Sequence, residues 1–325
     1  MAESRPVIRF RCFRNTDAPA VAELWSRLAP ARNAVRLLTV HEFDALVFGK
    51  LGFEREGLIV AERESGLVGF AHAGFGPAQP CGPSHRLDTS LGTIAVLIAE
   101  VGEEEVAAGL VDAAIGYLRE RGARVIYAGG RMPMTPFYWG IYGGTEFGGI
   151  LETHTAFQDA VKRAGFEAVA DSVLFEAPLN APEPRDVRFA PVRRQFRVEL
   201  QEDAMLESWW AALAIGQFHP TRFQLVDRQT SIPRATAWTW EIAPGFAAED
   251  GLARTALLDL EVDPEFRRRG LGRTLVVECF RHAREHRSDL LCVQADTTNE
   301  TAVRLYQTLG FETIEHATLF RLPGG

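Results

Sequence analysis

Arginines and glycines crowd one short stretch of the chain, "VDPEFRRRGLGRTL", Val262–Leu275. An apolar, strand-like run ends at Val262, Asp263-Pro264 break it, and a helix-like run begins near Gly270. The N-terminus of a helix has unpaired N–H groups and the positive end of the dipole, so anions bind there. Glycine at 270 and 272 removes the Cβ and lets a pyrophosphate approach the backbone. Arg267, Arg268 and Arg269 would add charge beside it. The spacing Arg267-x-x-Gly270-x-Gly272 is neither a Walker A loop nor Gly-x-Gly-x-x-Gly, so neither an NTPase nor a dinucleotide fold is indicated. By itself the stretch has two readings, a cradle for a phosphorylated cofactor and a solvated basic turn.

The elements that must position such a cradle are legible around it. The 325 residues are long for one domain, and 46% apolar with 24% charged is ordinary for a soluble globular chain. The net charge of −8 argues against nucleic-acid binding and makes the arginine run a local feature. Cys12, Cys81, Cys279 and Cys292 form no CxxC pair and no metal-ligand spacing, which implies reduced thiols, no metal and a cytoplasmic chain. The N-terminus lacks the apolar core of a signal peptide, and no apolar run approaches the roughly 20 residues that span a bilayer.

Periodicity gives one order of elements twice. In the first part, "VIRFRCF" reads as a strand, "NTDAPAVAELWSRLA" as a helix with Asp17 at its cap, and "GLIVAERESGLVGFAHAGF" as a hairpin. A strand "LGTIAVLIAE", a helix "EEEVAAGLVDAAIGYLRERG", a strand "ARVIYAGG", a helix ending at Gly165 and a strand "VLFEAPL" follow. "NAPEPRD", Asn180–Asp186, then gathers prolines and charge and stops the periodicity, as a linker does. After it come a helix "ESWWAALAIGQF", a hairpin through "FQLVDRQTSIPRATAWTWEI", and strand, helix, strand, helix, strand to "TIEHATLFRL". The expected division is 1–180, a linker at 181–186, and 187–325. Each part is an α/β (α+β) unit, a mostly antiparallel mixed sheet flanked by helices.

At these residues the sequence resembles the GNAT superfamily of acyl-CoA-dependent N-acetyltransferases. "VDPEFRRRGLGRTL" is similar to that family's cofactor signature. "NETAVRLYQTLGF" carries Asn299, Ala302, Tyr306, Gly310 and Phe311 at the family's spacing for the last helix. The resemblance implies acetyl-CoA as co-substrate, held by Leu260, Val262, Arg267, Arg268, Arg269, Gly270, Leu271, Gly272, Arg273, Asn299 and Ala302. It implies direct attack of an acceptor amine on the thioester, polarised by the strand amides around Leu260–Val262. Tyr306 is then the candidate acid for the leaving thiolate, a role open to a phenol held within hydrogen-bond reach. Asp259, Glu261 and Glu241 are candidate bases, with strand parity unsafe across the bulge usual in the family. Trp209, Trp210 and His219 fall in the segment that lines the acceptor side in the family. A core role for at least one tryptophan and a plain loop histidine are the competing readings.

Laid over the second part with no gap, Ala283–Val293 falls on Leu118–Ala128. Carried back, Arg267, Arg268, Arg269, Gly270 and Gly272 fall on Gly102, Glu103, Glu104, Glu105 and Ala107. Carboxylates satisfy a helix N-terminus and repel a pyrophosphate. Asn299 falls on His154 and Tyr306 on Val161. The first part is therefore expected to keep the architecture without the cofactor chemistry, as in tandem GNAT proteins. Its insertion of about twenty residues, "RMPMTPFYWGIYGGTEFGG", includes "PFYWGIYGG", Pro136–Gly144, which is either a binding loop, an interface plug or ordinary packing. The expected partner is a small-molecule or peptide amine, with no nucleic acid and no membrane, on a monomer or homodimer. The alternative function is a non-catalytic acyl-CoA-binding or scaffolding protein.

Overall fold

The structure is a computed structural model that describes residues 7–30, 32–36, 38–82, 84–100, 102–146, 148–180, 189–242 and 250–324. The expected linker at 181–186 lies outside the described residues. The first half runs β1 (Arg9–Cys12), α1 (Ala18–Leu28), α2 (Val40–Phe43), β2 (Leu58–Arg63), β3 (Gly66–Pro77), β4 (Leu87–Ala99), α3 (Glu104–Glu120), β5 (Val125–Ala128), β6 (Ile150–Leu151), α4 (Thr155–Arg163) and β7 (Glu167–Pro178). The second half runs α5 (Phe189–Gln195), β8 (Phe196–Gln201), α6 (Trp209–Ile215), β9 (Thr221–Asp227), β10 (Pro233–Glu241), β11 (Arg254–Val262), α7 (Leu271–Glu285), β12 (Leu290–Asp296), α8 (Glu300–Thr308) and β13 (Glu312–Arg321).

The mixed α/β fold is as expected, but the two halves share one sheet. Its order is β1-β2-β3-β4-β5-β13-β7-β12-β11-β10-β9-β8, with β6 beside β13. Pairing is antiparallel except at two places, β4 with β5 and β11 with β12. The centre holds an exchange. β13, the last strand of the second half, lies beside β5 of the first, and β7 lies beside β12 of the second. The two exchanged strands pair with each other along Glu167–Glu176 and Glu312–Arg321. Element order in the sequence is the same with or without this exchange, so the expected pair of separate sheets required the structure for its correction.

Three apolar clusters cover the sheet. Against one face α3 and α4 bury Val106, Leu110, Val111, Leu118 and Phe157 on β2–β5. Their counterparts α7 and α8 bury Leu271, Leu275, Val276, Phe280 and Tyr306 on β7 and β9–β12. A third cluster lies on the opposite face and joins the halves. It contains Trp25 and Phe43, the inserted Phe137, Tyr138, Trp139, Ile141 and Tyr142, and Trp238, Trp240 and Leu258. Tyr138 stacks on Trp25 with centroids 5.4 Å apart and shares a 2.9 Å hydrogen bond with His72 Nδ1. Such a ring pair contributes about 0.5–1.5 kcal/mol beyond its buried area. Gly140 packs so closely on Trp240 that a Cβ would stand 3.1 Å from the indole. The aromatic stretch Pro136–Gly144 is thus a plug between the halves.

Lys50 is sealed into the same seam. Its Nζ donates to the carbonyls of Pro136 (2.9 Å) and Ala214 (3.2 Å), one from each half. Burial brings its pKa down to about 7. All four cysteines are free, with Cys279 and Cys292 buried and their thiols pushed upward by that burial. No helix among the described residues is long and apolar enough to cross a membrane.

Candidate active site

The site begins where the sheet opens. β11 pairs with β12 in parallel only from Arg254↔Leu290 to Leu257↔Val293. On its other side the β10 register slips, so that Asp259 and Leu260 stand opposite the single residue Ala237. This is a β-bulge, and Asp259 takes φ +49° in it. The same device occurs in the first half, where β4 leaves β5 after Ile94↔Ala128 and Ala95 is skipped opposite β3. The architecture is repeated, and the side chains placed at it differ.

Beyond Val262 the chain turns through Pro264–Phe266 into α7. Asp263 accepts from the Glu265 N–H and holds Arg234 at 2.7 Å. The Arg234 and Arg269 guanidiniums lie over the Phe266 ring, 4.6 and 4.9 Å from its centroid. Arg268 (φ +61°) and Gly270 (φ +89°) are both left-handed, and they swing the backbone into the helix. Gly270 is the N-cap, and the Thr274 N–H is bonded back to its carbonyl at 2.9 Å. The preceding first-turn amides have no intrahelical carbonyl to meet. They open on a groove of about 1070 Å³ lined by Arg234, Arg267, Arg268, Gly270, Leu271, Gly272, Arg273, Leu260, Val262, Asn299, Ala302 and Tyr306. Of the expected cofactor residues only Arg269 is absent from that lining. Arg267 is pinned to the Val262 carbonyl at 3.1 Å, and Arg273 ties α7 to Thr308 of α8. Amides, glycines and guanidiniums on one concave wall suit a diphosphate.

α8 supplies the far wall. Asn299 caps it, its Oδ1 accepting from the Ala302 N–H at 3.2 Å, which leaves the Nδ2 donor for another partner. Tyr306 is 4% exposed and packs on Phe175 and Phe311. Burial first, then the charge of Glu146, raises its phenol pKa, so it stays a proton donor at neutral pH.

A smaller cavity of about 180 Å³ adjoins the groove. Leu260, Asn299, Ala302 and Tyr306 border both. Asp259 lines the smaller cavity and Glu261 the groove, so the bulge sends the two candidate bases into different spaces. Asp259 has its pKa raised by burial and then by Glu261. The sequence reading missed the other polar side chains of this cavity: Arg131 and Glu146 from the insertion, Ser172 from β7, and Gln294 and Asp296 from β12. A larger pocket of about 630 Å³ lies at the join of the halves and shares Val293 with the cavity. Thr145 beside Glu146, Asn33, Glu176 and Arg254 line it.

The structure keeps other candidates out of the cleft. Glu241 ends β10 near His286, and His219 is a surface residue bonded to Asp203. Trp210 is fully buried and Trp209 donates to the Gln79 carbonyl. One His/Glu group among the described residues could hold a metal ion, Glu202 with His282 and His286, and it sits by the other end of α7.

In the first half the helix N-terminus carries carboxylates instead of glycines and arginines. Glu103, at the N-cap position of α3, makes no side-chain cap bond and forms a two-bond ion pair with Arg63, both bonds 2.7 Å, and Glu104 pairs with Arg163. The gapless overlay needs one adjustment. α3 starts two residues earlier than its ends predict, so Gly270 matches Glu103 by cap position rather than Glu105. The overlay of His154 on Asn299 stands, since both are N-caps.

The profile of the FR47-like protein family matches residues 246–320, the part that carries the groove. The chain is 33% identical over 106 residues to the mycothiol acetyltransferase of Nocardiopsis dassonvillei and 31% identical over 102 residues to that of Thermobifida fusca. These alignments cover 33% and 31% of this chain and 32% of each relative, about a third of their length. Among solved structures, a tandem GNAT protein from the clavulanic acid biosynthesis pathway superposes with TM-score 0.68 at 12% identity, over 98% of this chain and 99% of that one. A GCN5-related N-acetyltransferase from Sphaerobacter thermophilus gives 0.63 at 13%, over 98% and 97%. N-myristoyltransferase of Saccharomyces cerevisiae with bound myristoyl-CoA gives 0.54 at 10%, over 99% and 81%. The fold is that of the tandem GNAT proteins.

Proposed function

We propose that the chain is an N-acetyltransferase whose single working site is in the second half, transferring the acetyl group of acetyl-CoA to an amine. The observation that supports this best is the groove, where the α7 amides, Gly270, Gly272 and four arginines face Asn299 and Tyr306 across one space. The name of the relatives, mycothiol acetyltransferase, and the myristoyl-CoA bound in one structural neighbour agree with it.

Acetyl-CoA would supply the activated acyl group. The residues around it do the rest by position and charge. The α7 amides, Arg267, Arg268 and Arg273 hold the diphosphate, and Asn299 Nδ2 holds the arm. The strand backbone at Leu260–Val262, which lies beyond the last β12 pairing at Leu257, polarises the carbonyl. Tyr306 returns a proton to the leaving sulfur. The first half, with Glu103 and Glu104 neutralised by arginine, contributes structure and the wall of the acceptor pocket. The 1–180 and 187–325 division is retained as the evolutionary one, although the strands cross it.

The test is release of free thiol from acetyl-CoA against a panel of primary amines, for the parent and Tyr306→Phe. Turnover that drops about 100-fold in the variant with unchanged coenzyme A affinity supports the reading. Coenzyme A binding without turnover on any amine favours a non-catalytic acyl-CoA-binding protein instead.

A further inference from the structure

Acyl transfer to an ammonium needs a proton acceptor, and the two carboxylates foreseen for it are poorly placed. Glu261 borders the groove on the side of Arg234, Arg267 and Arg268, where the diphosphate belongs. Asp259 takes a left-handed φ of +49° in the bulge and lies beside the Glu261 charge. A third carboxylate comes from the other half of the chain. Glu146 is half-buried at the end of the aromatic plug and faces Asp259, Gln294 and Tyr306 across the small cavity. Among the carboxylates of that wall, it is the one whose charge bears most on the Tyr306 phenol. The proposed thiolate acid and Glu146 therefore flank the same small space.

Gly148, two residues beyond Glu146, lies close against β12. A Cβ there would stand 1.4 Å from Gln294 Nε2, so any side chain would have to displace the Gln294 amide or lift the backbone. Gln294 Nε2 donates to Ser172 Oγ (2.9 Å), and Ser172 Oγ donates to the Gly148 carbonyl (2.8 Å). That chain sets the orientation of the Gln294 amide and leaves its Oε1 buried and without a hydrogen-bond partner. An unpaired buried acceptor of this kind is destabilising unless something fills it. Charge in the cavity is one-sided. Glu146, Asp259 and Asp296 face one cation, Arg131, which is already 3.3 Å from Asp296.

We propose that Glu146, on the insertion of the first half, takes the proton from the acceptor ammonium in the cleft of the second half, while Gln294 Oε1 accepts a second N–H of the same nitrogen. The inference rests on the acetyltransferase reading. It names the acceptor as a cationic primary amine with no carboxylate close to the reacting nitrogen. In the step, R–NH3⁺ gives one proton to the Glu146 carboxylate. The nitrogen lone pair forms the C–N bond at the thioester carbonyl, and the C–S bond breaks. Tyr306 gives its proton to the thiolate and regains one from the newly bonded nitrogen. Amide and thiol leave, and the proton on Glu146 passes to solvent, so one proton is released per turnover. Burial, then the charge of Asp259, brings Glu146 up to about 7 against the opposing effect of Arg131, which suits a base working near neutrality. The groups facing it are Asp259 of β11, whose own pKa is raised further by Glu261, Arg131 of the insertion, Asp296 of β12 and Tyr306 of α8.

The experiment is the pH profile of kcat/KM for the full chain and for Glu146→Gln and Asp259→Asn, with coenzyme A affinity measured alongside. The parent is expected to rise around pH 7. Glu146→Gln should fall about 100-fold, rise only toward the amine's own pKa, and keep its coenzyme A affinity. The loss should shrink for a weakly basic amine such as methoxyamine, which a merely structural role would not produce. A Glu146→Gln chain within threefold of the parent, or a limb near pH 7 that disappears in Asp259→Asn instead, overturns the assignment. Turnover in the parent with an unaffected Glu146→Gln overturns this inference alone. No turnover on any amine overturns the acetyltransferase reading and this inference with it.

Discussion

Asn299 and His154 occupy the same station in the two halves, each the residue at which its last helix begins. Asn299 caps its helix through Oδ1 and keeps a donor for the groove. His154 makes no cap bond and instead shares a 3.0 Å hydrogen bond with Tyr142 of the plug. The same position lines the groove in one half and packs inside the other, where burial holds the imidazole neutral, with its pKa near 4.

The stoichiometry of coenzyme A should follow this difference. Calorimetry is expected to give one site per chain. Gly270→Ala forces a side chain onto a φ of +89° at the helix cap and should weaken binding at least tenfold. Glu104→Gln, at the corresponding helix of the first half, should leave affinity unchanged. Two sites per chain would contradict the assignment of the chemistry to the second half.

Exchange of β7 and β13 predicts that neither half works alone. Residues 187–325 expressed by themselves expose the edge of β12 that β7 covers over Leu290–Asp296, and unpaired edges of that length aggregate. They also lack Arg131, Glu146 and Gly148. Soluble recovery and thiol release should both be near zero, and co-expression of the first half should restore part of each. A soluble, fully active fragment would refute the interdependence.

Gly148→Ala should damage the site without touching a reacting group. The added methyl must displace the Gln294 amide or lift the insertion, at about 1–3 kcal/mol. Thermal unfolding should show a drop of a few degrees, and kcat/KM for the amine should fall more than the affinity for coenzyme A.

Lys50 gives the chain a pH-dependent stability with a defined sign. Its pKa is near 7 when folded and 10.5 in the unfolded chain, so between those values the unfolded state binds more protons and stability rises with pH. The melting temperature should climb by a few degrees from pH 7 to pH 9, and Lys50→Met should remove that climb. An identical slope in the variant would show that Lys50 is not its source.

Much of this was written locally in the chain. The strand, the arginine–glycine turn and the Asn299–Phe311 helix were readable because each depends on neighbours a few residues away. α5 and β8 were not read, although "FRVELQ" alternates apolar and polar residues; β8 is an edge strand whose Val198 and Leu200 stay exposed, so its pattern marks no core. Glu146 carried no signal either. It lies in a glycine-rich insertion without periodicity, and the residues that give it meaning, Asp259, Gln294 and Tyr306, come more than a hundred positions later. The strand exchange was invisible for a different reason. A strand's hydrophobic pattern says which of its faces are buried, and it does not say which strand lies beside it in the sheet.

The crossed central strands also impose an order on biosynthesis. When β5 leaves the ribosome its partner β13 has not yet been made, and β7 waits for β12. The nascent first half must therefore hold an open flank throughout translation of the second, a window in which a chaperone or a neighbouring chain competes for the same backbone.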